Sequence, residues 1–205
     1  MKVLKNMKVV IIKYNAGNIR SVLFALERIG ISAIVSDDHD EIRSADRVIF
    51  PGVGEASSAM KYLKDKGLDT LICSLTQPVL GICLGMQLMC AHSEENDTKC
   101  FGIFGETVRK FPEAGFKIPQ IGWNNISNLN SNLFKGVKEN AYMYFVHGYY
   151  IASCSNTIAT TDYIEIYSSA LQKDNFYAVQ FHPEKSGEAG QKILENFING
   201  DLLKI

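Results

Sequence analysis

A cysteine stands at the centre of residues 81–85, Gly-Ile-Cys-Leu-Gly. The apolar run that opens at Pro78 is typical of a buried strand, and an apolar helical pattern follows the cysteine, so we predict that the thiol lies on a sharp strand-to-helix turn. The two glycines relieve the crowding that such a turn creates. The positive end of the helix dipole favours the thiolate, the nucleophilic form. Most buried cysteines are structural, but this setting makes Cys83 a candidate nucleophile.

A histidine and a glutamate follow an apolar strand predicted from Phe176 to Phe181. In extended backbone, residues two apart point to the same side, so Glu184 can lie beside His182 and orient its ring, and Pro183 stiffens the segment. A single histidine at a strand end more often bonds a backbone carbonyl. Together with Cys83, however, the pair predicts a triad in which Cys83 is the nucleophile, His182 the base and Glu184 the orienting residue.

The turn of residues 51–54, Pro-Gly-Val-Gly, also follows an apolar strand. Glycines favour an ordinary strand-to-helix turn here, whatever its function. For chemistry, a backbone amide from Gly52, Val53 or Gly54 would pair with the amide of Leu84 to bind the oxyanion of a tetrahedral intermediate. A phosphate-binding loop is disfavoured, because neither Gly-x-Gly-x-x-Gly nor a Lys-Ser/Thr ending is present.

The length and the net charge limit the number of domains and the kinds of partner that the chain can have. With 205 residues and a formal net charge of −1, the chain is long enough for one domain with a full hydrophobic core. The charge balance indicates no basic face, which argues against nucleic acid or an anionic membrane as a partner. The apolar runs fall well short of the ~20 residues of a membrane span, and Val9 to Ile12 is too short for the core of a signal peptide.

Five cysteines without a C-x-x-C pair argue against a disulfide framework or a zinc site. A reducing cytoplasm is the compartment that this cysteine usage favours. We therefore expect one domain over residues 1–205, with no metal and no cofactor. Met7 is an alternative start to Met1, because the first six residues contribute little to the pattern.

Strand and helix patterns alternate over the first half of the chain, which predicts an α/β fold with a mostly parallel central sheet flanked by helices. Asn18 is the expected N-cap of the first helix, and residues 37–46 are the expected polar connection. Loops at the carboxyl ends of parallel strands share one crevice, so the turn at residues 51–54 and Cys83 should lie together. The predicted strands are Val9–Ile12, Ile31–Val35, Val48–Phe50 and the run that opens at Pro78. The predicted helices are one that ends at Gly30, one over Glu55–Lys66, one over Leu68–Leu75 and one that follows Cys83.

The pattern changes between about Asp97 and Asn175, where strands are shorter and glycine and asparagine more frequent. We predict an added region of mostly antiparallel strands, turns and loops that packs on one side of the sheet. It includes a strand over residues 144–146. A helix from Gly187 to Asn199 closes the pattern.

The motifs together resemble a known family, the triad (class I) glutamine amidotransferases. Three segments carry this resemblance: residues 51–54, residues 81–87 (Gly-Ile-Cys-Leu-Gly-Met-Gln) and residues 180–184 (Gln-Phe-His-Pro-Glu). Three more are similar to the glutaminase subunits of imidazole glycerol phosphate synthases: residues 14–18 (Tyr-Asn-Ala-Gly-Asn), 119–124 (Pro-Gln-Ile-Gly-Trp-Asn) and 144–147 (Tyr-Phe-Val-His). The similarity runs from about Met7 to the C-terminus, and the combination is highly specific.

The resemblance implies a glutaminase domain that forms a thioester from glutamine through an oxyanion, releases ammonia and then hydrolyses the thioester to glutamate. A carboxylate suits the α-ammonium of glutamine, and backbone N–H groups suit its α-carboxylate. From the residues alone, Gln87 and Glu95 would be assigned to a solvated helix face. The glutamine-binding groups that the resemblance implies are the amides around Gly52 and Gly54, the side chains of Gln87 and Glu95, and the main chain of His147, Gly148 and Tyr149.

The resemblance also implies a partner. In this family ammonia passes to a (β/α)8-barrel cyclase subunit, with which the glutaminase forms a heterodimer in histidine biosynthesis. Asn15, Asn18, Trp123, Tyr144 and Lys185 are placed by the resemblance at or near that interface. Tryptophan and tyrosine are enriched at interfaces, although the single tryptophan would by default be assigned to the core.

One departure from the family pattern concerns Gly148, which stands where the family usually has a small hydroxyl residue. We expect the missing side chain to loosen the glutamine pocket, while the backbone amide remains. A second departure is the stretch Cys90-Ala91-His92, in which we treat His92 as a surface residue. Neither departure touches the predicted triad.

Two other interpretations stay open. A paralogous glutaminase could serve a different barrel synthase, for example in a surface-glycan pathway, with unchanged chemistry on this chain. A redox sensor or stress chaperone could also carry a cysteine turn, but it needs neither His-Pro-Glu nor a glutamine-recognition loop. A peptidase is disfavoured because nothing indicates a peptide groove.

Overall fold

The computed structural model describes residues 7–15, 18–200 and 202. Residues 1–6, where the alternative start was predicted, lie outside the described residues, as do Ala16 and Gly17 of the motif at residues 14–18. No helix within the described ranges is long and apolar enough to cross a membrane.

Thirteen strands occur in the described ranges. They are β1 (Val9–Ile12), β2 (Ala33–Ser36), β3 (Arg47–Gly52), β4 (Val79–Cys83), β5 (His92–Ser93), β6 (Thr98–Lys99), β7 (Thr107–Lys110), β8 (Gln120–Asn125), β9 (Tyr142–His147), β10 (Tyr149–Ile151), β11 (Thr157–Tyr163), β12 (Glu165–Lys173) and β13 (Phe176–Val179).

Six α-helices occur in the same part of the chain. They are α1 (Ile19–Arg28), α2 (His39–Arg43), α3 (Ala56–Asp65), α4 (Leu68–Cys73), α5 (Leu84–Met89) and α6 (Gly187–Asn199). Short 3₁₀ turns cover Glu95–Asp97, Asn132–Phe134 and Pro183–Lys185.

The central sheet has, within the described residues, the strand order β11-β12-β13-β4-β3-β1-β2. Pairing is parallel from β2 through β1, β3 and β4 to β13, and antiparallel from β13 to β12 and β11. The predicted α/β fold with a mostly parallel sheet is therefore confirmed. Strands β3, β4 and β13 are neighbours, so the loops that follow them meet at one edge.

The antiparallel region differs from the prediction in one respect. We expected it to pack on one side of the sheet, but β11 and β12 continue the sheet beyond β13. They pair with the hydrogen-bonding edge of β13, which would otherwise be exposed. The other strands of this region form a small sheet in the order β10-β7-β5-β6 and a two-stranded ribbon of β8 and β9.

Alternation along β1 explains how both faces of the sheet are covered. Val9 and Ile11 pack with α1 and α6, whereas Val10 and Ile12 pack with the cluster that contains α3 and α4 residues. All four β1 side chains are buried. A strand that is buried on both faces has a continuous run of apolar residues, and this run made β1 predictable from the sequence.

Two local predictions were wrong. The polar connection at residues 37–46 contains α2, which Asp38 caps by accepting a hydrogen bond from the Glu41 amide at 2.8 Å. Asn18 precedes α1 as expected, but its backbone is left-handed and its side chain does not cap the helix. That side chain instead donates a hydrogen bond to Glu184.

Candidate active site

Cys83 occupies the turn between β4 and α5. Its φ of 54° and ψ of −109° are strained for a residue with a side chain, and the residue is buried. The flanking glycines allow the helix to approach the sheet. A Cβ atom on Gly85 would overlap the carbonyl oxygen of Phe50, and one on Gly81 would lie 2.9 Å from Met89 Sδ. The predicted strand-to-helix turn is therefore present, with the glycines in the predicted role.

His182 and Glu184 lie where the chain leaves β13. The His182 amide donates to the Tyr144 carbonyl at 2.9 Å, and Ser186 Oγ donates to the His182 carbonyl at 2.6 Å. These bonds hold the segment so that His182 Nδ1 donates to Glu184 Oε1 at 2.8 Å. Both side chains are buried. The predicted i, i+2 pairing is therefore present in the structure.

The charges around the His182 ring favour its protonated form. Burial disfavours the imidazolium, but hydrogen bonding and charge from Cys83 and Glu184 outweigh it and raise the pKa of His182 from 6.5 to about 10. Because Nδ1 is bonded to Glu184, Nε2 is the ring nitrogen left to interact with Cys83. Glu184 Oε1 also accepts from Asn18 Nδ2, whereas Oε2 is buried without a hydrogen-bond partner among the described residues.

Gln180 is a residue of this site that the sequence analysis did not single out. It is fully buried, and its Nε2 lies 3.7 Å from Cys83 Sγ. Its Oε1 accepts a hydrogen bond from Gln87 Nε2 at 2.9 Å. Gln180 is two residues before His182, so the i, i+2 rule that placed Glu184 beside His182 could have found it.

A cavity of about 470 Å³ opens beside the thiol. Cys83 and His182 line it, and so do most of the residues predicted to bind an oxyanion or substrate: Val53, Gly54, Leu84, Gln87, Glu95, His147, Gly148 and Tyr149. Gly52 does not line the cavity, because it lies behind this surface, packed against the Tyr14 hydroxyl and Leu84. The cavity wall also includes residues that were not predicted as substrate-binding: Lys110, Ile118, Pro119, Val146 and Lys185.

Comparison with known proteins agrees with this geometry. The family model described as glutamine amidotransferase class-I matches residues 10–200. The imidazole glycerol phosphate synthase subunit HisH of Bacteroides fragilis is 57% identical over 194 residues, which cover 94% of this chain and 99% of that protein. The HisH subunits of Bacteroides thetaiotaomicron (55% identical, covering 94% and 100%) and Shewanella loihica (46% identical, covering 95% and 92%) are similar along nearly their whole length. This chain belongs to the class-I glutamine amidotransferase family.

Solved structures show that the fold of this amidotransferase extends to distant relatives. A glutamine amidotransferase matches with a TM-score of 0.72 at 15% identity, covering 92% of this chain and 96% of that one. PurLQS of Thermotoga maritima matches with a TM-score of 0.69 at 16% identity, covering 94% and 98%. At identities this low, the similarity supports a shared fold but not a shared activity or substrate.

Two ionisable side chains of the amidotransferase have pKa values shifted by burial beside the cavity. Burial lowers the pKa of His147 to about 4, so this imidazole is neutral near pH 7. Its Nδ1 donates to the Tyr149 carbonyl at 2.7 Å, so the ring packs inward and the main chain faces the cavity. Burial also raises the pKa of Glu95, whose Oε2 accepts from the Ala56 amide at 2.7 Å. Among the described residues, no cluster of potential ligands could hold a metal ion.

The Tyr14 hydroxyl is a further buried polar group of this amidotransferase. It lies against Gly52 and has no hydrogen-bond partner among the described residues. Burial first, and the neighbouring Cys83 second, raise the pKa of Tyr14. Tyr14 is therefore a neutral group behind the turn at residues 51–54. In the sequence, Tyr14 was recognisable only as part of the motif at residues 14–18.

The predicted interface residues fall into two groups. Trp123 is 55% exposed and lies edge-on to Tyr144 at 5.9 Å between ring centroids, and Lys185 Nζ lies 5.7 Å from the centre of the Tyr144 ring. The default assignment of Trp123 to the core was therefore wrong. Asn15 is also exposed, whereas Asn18 turns inward to Glu184.

Gly148 leaves room for the small side chain that the family usually has at this position. A Cβ atom there would lie 3.8 Å from both Ile118 and Pro119, which is ordinary van der Waals contact. Gly148 is thus not required by steric crowding in this amidotransferase. His92, predicted as a surface residue, is partly exposed and pairs with Asp97 at 2.8 Å.

Proposed function

We propose that this chain is the glutaminase subunit of an imidazole glycerol phosphate synthase, acting as a single domain that hydrolyses glutamine to glutamate and ammonia. The observation that carries the proposal is the Glu184–His182 hydrogen bond beside Cys83, with Cys83 and His182 on one cavity wall of a chain 55–57% identical to HisH subunits. Nucleophile, base and orienting group meet there as acyl-transfer chemistry requires.

In the first half of the reaction, the Cys83 thiolate attacks the side-chain amide carbon of glutamine and forms a carbon–sulfur bond. The raised pKa of His182 keeps the ring protonated near neutral pH, which supplies the proton for the departing nitrogen. The carbon–nitrogen bond breaks and ammonia leaves, with the glutamyl group held as a thioester. The amide of Leu84 and an amide of the turn at residues 51–54 are the candidate donors to the oxyanion.

In the second half, the neutral His182 takes a proton from water as the water attacks the thioester carbon. The carbon–sulfur bond breaks, glutamate leaves, and the thiolate–imidazolium pair is restored. Glu184 holds the ring through Nδ1, so that Nε2 faces the reacting atoms in both halves.

Substrate recognition follows from the groups on the cavity wall. Glu95 places a carboxylate there for the α-ammonium of glutamine, and a bound ammonium would offset the burial that raises its pKa. The main chain from His147 to Tyr149 lines the same cavity and supplies amides for the α-carboxylate. Gln87 lines the same cavity, and its side-chain amide donates to Gln180. Gly52, behind the wall, contributes by allowing the close approach of Tyr14.

We further propose a (β/α)8-barrel cyclase as the partner in a heterodimer. The exposed ribbon of β8 and β9 presents Trp123 and Tyr144 next to Lys185, and Lys185 also lines the cavity. A partner docked on this ribbon would receive ammonia close to where it is released. All five cysteines lie in the described part of the chain as free thiols, which supports a reducing cytoplasm as the compartment.

The experiment that tests the proposal measures glutamate release from glutamine by this chain alone and with a HisH-partner cyclase and its ribotide ligand. We expect glutamate release, with stimulation by the liganded cyclase. Glutamate release that the cyclase does not change would support the glutaminase activity and refute the proposed partner. The chain would then be a paralogous glutaminase that serves another synthase. A folded protein without activity in any mixture would refute the glutaminase.

A further inference from the structure

The orientation of one buried side-chain amide is fixed by its neighbours. Gln180 Oε1 receives a hydrogen bond from Gln87 Nε2 at 2.9 Å, so the oxygen of this amide faces Gln87. The nitrogen must then face the opposite way, and it lies 3.7 Å from Cys83 Sγ. Gln87 Nε2 also donates to the Tyr149 carbonyl at 3.4 Å, so flipping Gln180 alone would set two NH₂ groups against each other, and flipping both amides would set the Gln87 oxygen against that carbonyl. Gln87 therefore orients Gln180 so that an N–H points at the sulfur.

The surroundings of the sulfur show why a donor matters there. The thiol form of Cys83 can donate to the Val146 carbonyl at 3.8 Å, but a thiolate has no hydrogen to donate and gains nothing from an acceptor. A thiolate needs donors, and His182 supplies one of them. Gln180 is fully buried, so water does not compete for its N–H. The ionisable groups that interact with this sulfur are His182, with Glu184 behind it, and Tyr14.

We propose that Gln180 is a catalytic residue of glutamine hydrolysis, donating a hydrogen bond from Nε2 to the Cys83 thiolate. The proposal rests on the glutaminase function above and adds a residue to its mechanism. The bond stabilises the sulfur anion before attack and again when the thioester breaks and sulfur leaves with the electron pair. No proton is transferred to or from Gln180, because an amide N–H is far too weak an acid. Its part is to hold a partial positive charge against the sulfur.

The position of Gln180 in the chain supports this role. It lies directly after β13 and two residues before His182, and its amide N–H donates to the Ser169 carbonyl of β12 at 2.9 Å. Strand β13 pairs in parallel with β4, which ends in Cys83. One rigid strand end thus brings two donors, Gln180 and His182, to the same sulfur. Sites built on paired strands hold such distances more closely than loops do.

The test measures the reactivity of the thiol rather than glutamine turnover alone. The isolated chain is treated with iodoacetamide over a pH series, and alkylation of each cysteine is followed by peptide mass spectrometry. Cys73 is exposed and serves as an internal control in every sample. In Gln180→Met, which keeps the side-chain length and loses the donor, we expect the Cys83 profile to move to higher pH by roughly one unit. The Cys73 profile should not move.

Two further variants separate the donor from the packing. Gln180→Glu keeps the shape but replaces the donor by an anion, so we expect a larger shift in the same direction. Gln87→Leu removes the group that orients Gln180, and Gln87 also lines the glutamine cavity. We therefore expect this variant to raise the KM for glutamine and to move the Cys83 profile less than Gln180→Met does. In Gln180→Met the loss should appear mainly in kcat, by about ten- to a hundredfold.

The outcomes distinguish this inference from the proposed function. An unshifted Cys83 profile in both Gln180 variants would refute the hydrogen bond to sulfur, even if turnover fell. If the Gln180 variants shift the Cys83 profile but the wild-type chain hydrolyses no glutamine, the hydrogen bond is supported and the glutaminase function is refuted. If Gln180→Met does not fold, as judged by alkylation of the buried Cys90, Gln180→Glu decides alone.

Discussion

Replacing Glu184 by glutamine changes one charge in the candidate triad and almost nothing in its size. Oε1 of Glu184 accepts from both His182 and Asn18, while Oε2 is buried without a partner among the described residues. The single oxygen of a glutamine must take the Oε1 position to keep both donors satisfied. Its NH₂ group then replaces Oε2 where no acceptor meets it. Because Oε2 already lacks a partner, the larger loss is the charge-assisted hydrogen bond to His182, and we expect the free energy of unfolding to fall by about 1.5–3 kcal/mol.

The same change weakens the imidazolium of His182. A hydrogen bond to a buried charged group contributes about 1.5–3 kcal/mol, which corresponds to a fall in kcat of roughly ten- to a hundredfold. Glu184 is one cause of the raised pKa of His182, against the opposing effect of burial. Without that charge the ring loses its proton at lower pH. The alkaline limb of the glutaminase profile, expected near pH 10 from the pKa of His182, should therefore move to lower pH.

The assay is glutamate release by the Glu184→Gln variant over a pH series, with urea unfolding of the same samples. Glu188→Gln is the matched control, because Glu188 is exposed in the first turn of α6, four residues further along the chain. The control should keep the wild-type kcat and pH profile. A Glu184→Gln variant with wild-type kcat and an unmoved alkaline limb would refute the orienting role. A loss as complete as that in a Cys83→Ala variant would instead indicate a role in folding.

Three other predictions follow from the same geometry. Cys83→Ala should abolish glutamine hydrolysis and leave ammonia-dependent synthesis by the complex intact; glutamate release at the wild-type rate would contradict the nucleophile assignment. Trp123→Ala should weaken coupling to the cyclase without changing the KM for glutamine, since the ring is exposed; full coupling in a titration with the cyclase would contradict the interface. Gly85→Ala should lower the free energy of unfolding, measured in urea, by about 1–3 kcal/mol, because the new methyl group meets the Phe50 carbonyl. Gly105→Ala is the control, because a methyl group there meets nothing within 4 Å.

The parallel part of the fold could be predicted because its signals are local. β1 and β4 are buried on both faces, so their apolar runs identify them without any knowledge of the neighbours. The turn at Cys83 was equally visible, since the glycines at positions 81 and 85 are required by contacts close in space. The placement of β11 and β12 was not visible, because it depends on which sheet edge is left unpaired.

The residues of the site could be predicted where they belong to a motif that is specific to one function. The spacing of His182 and Glu184 predicted their hydrogen bond, but the same rule was not applied to Gln180. Asn18 shows the opposite error: its residue type favours an N-cap, yet a buried carboxylate from a distant part of the chain binds its amide. Local propensity gave way there to a tertiary contact with a charged group.

The order of strands in the central sheet has a consequence for synthesis of the chain. β4, which ends in Cys83, pairs on one side with β3 and on the other with β13, and β13 follows every other described strand in the sequence. As the chain emerges from the ribosome, the thiol is therefore made long before the strand end that carries its base. A chain that stops before β13 leaves one edge of β4 unpaired and lacks both His182 and Glu184. We therefore expect such shorter products of translation to hydrolyse no glutamine.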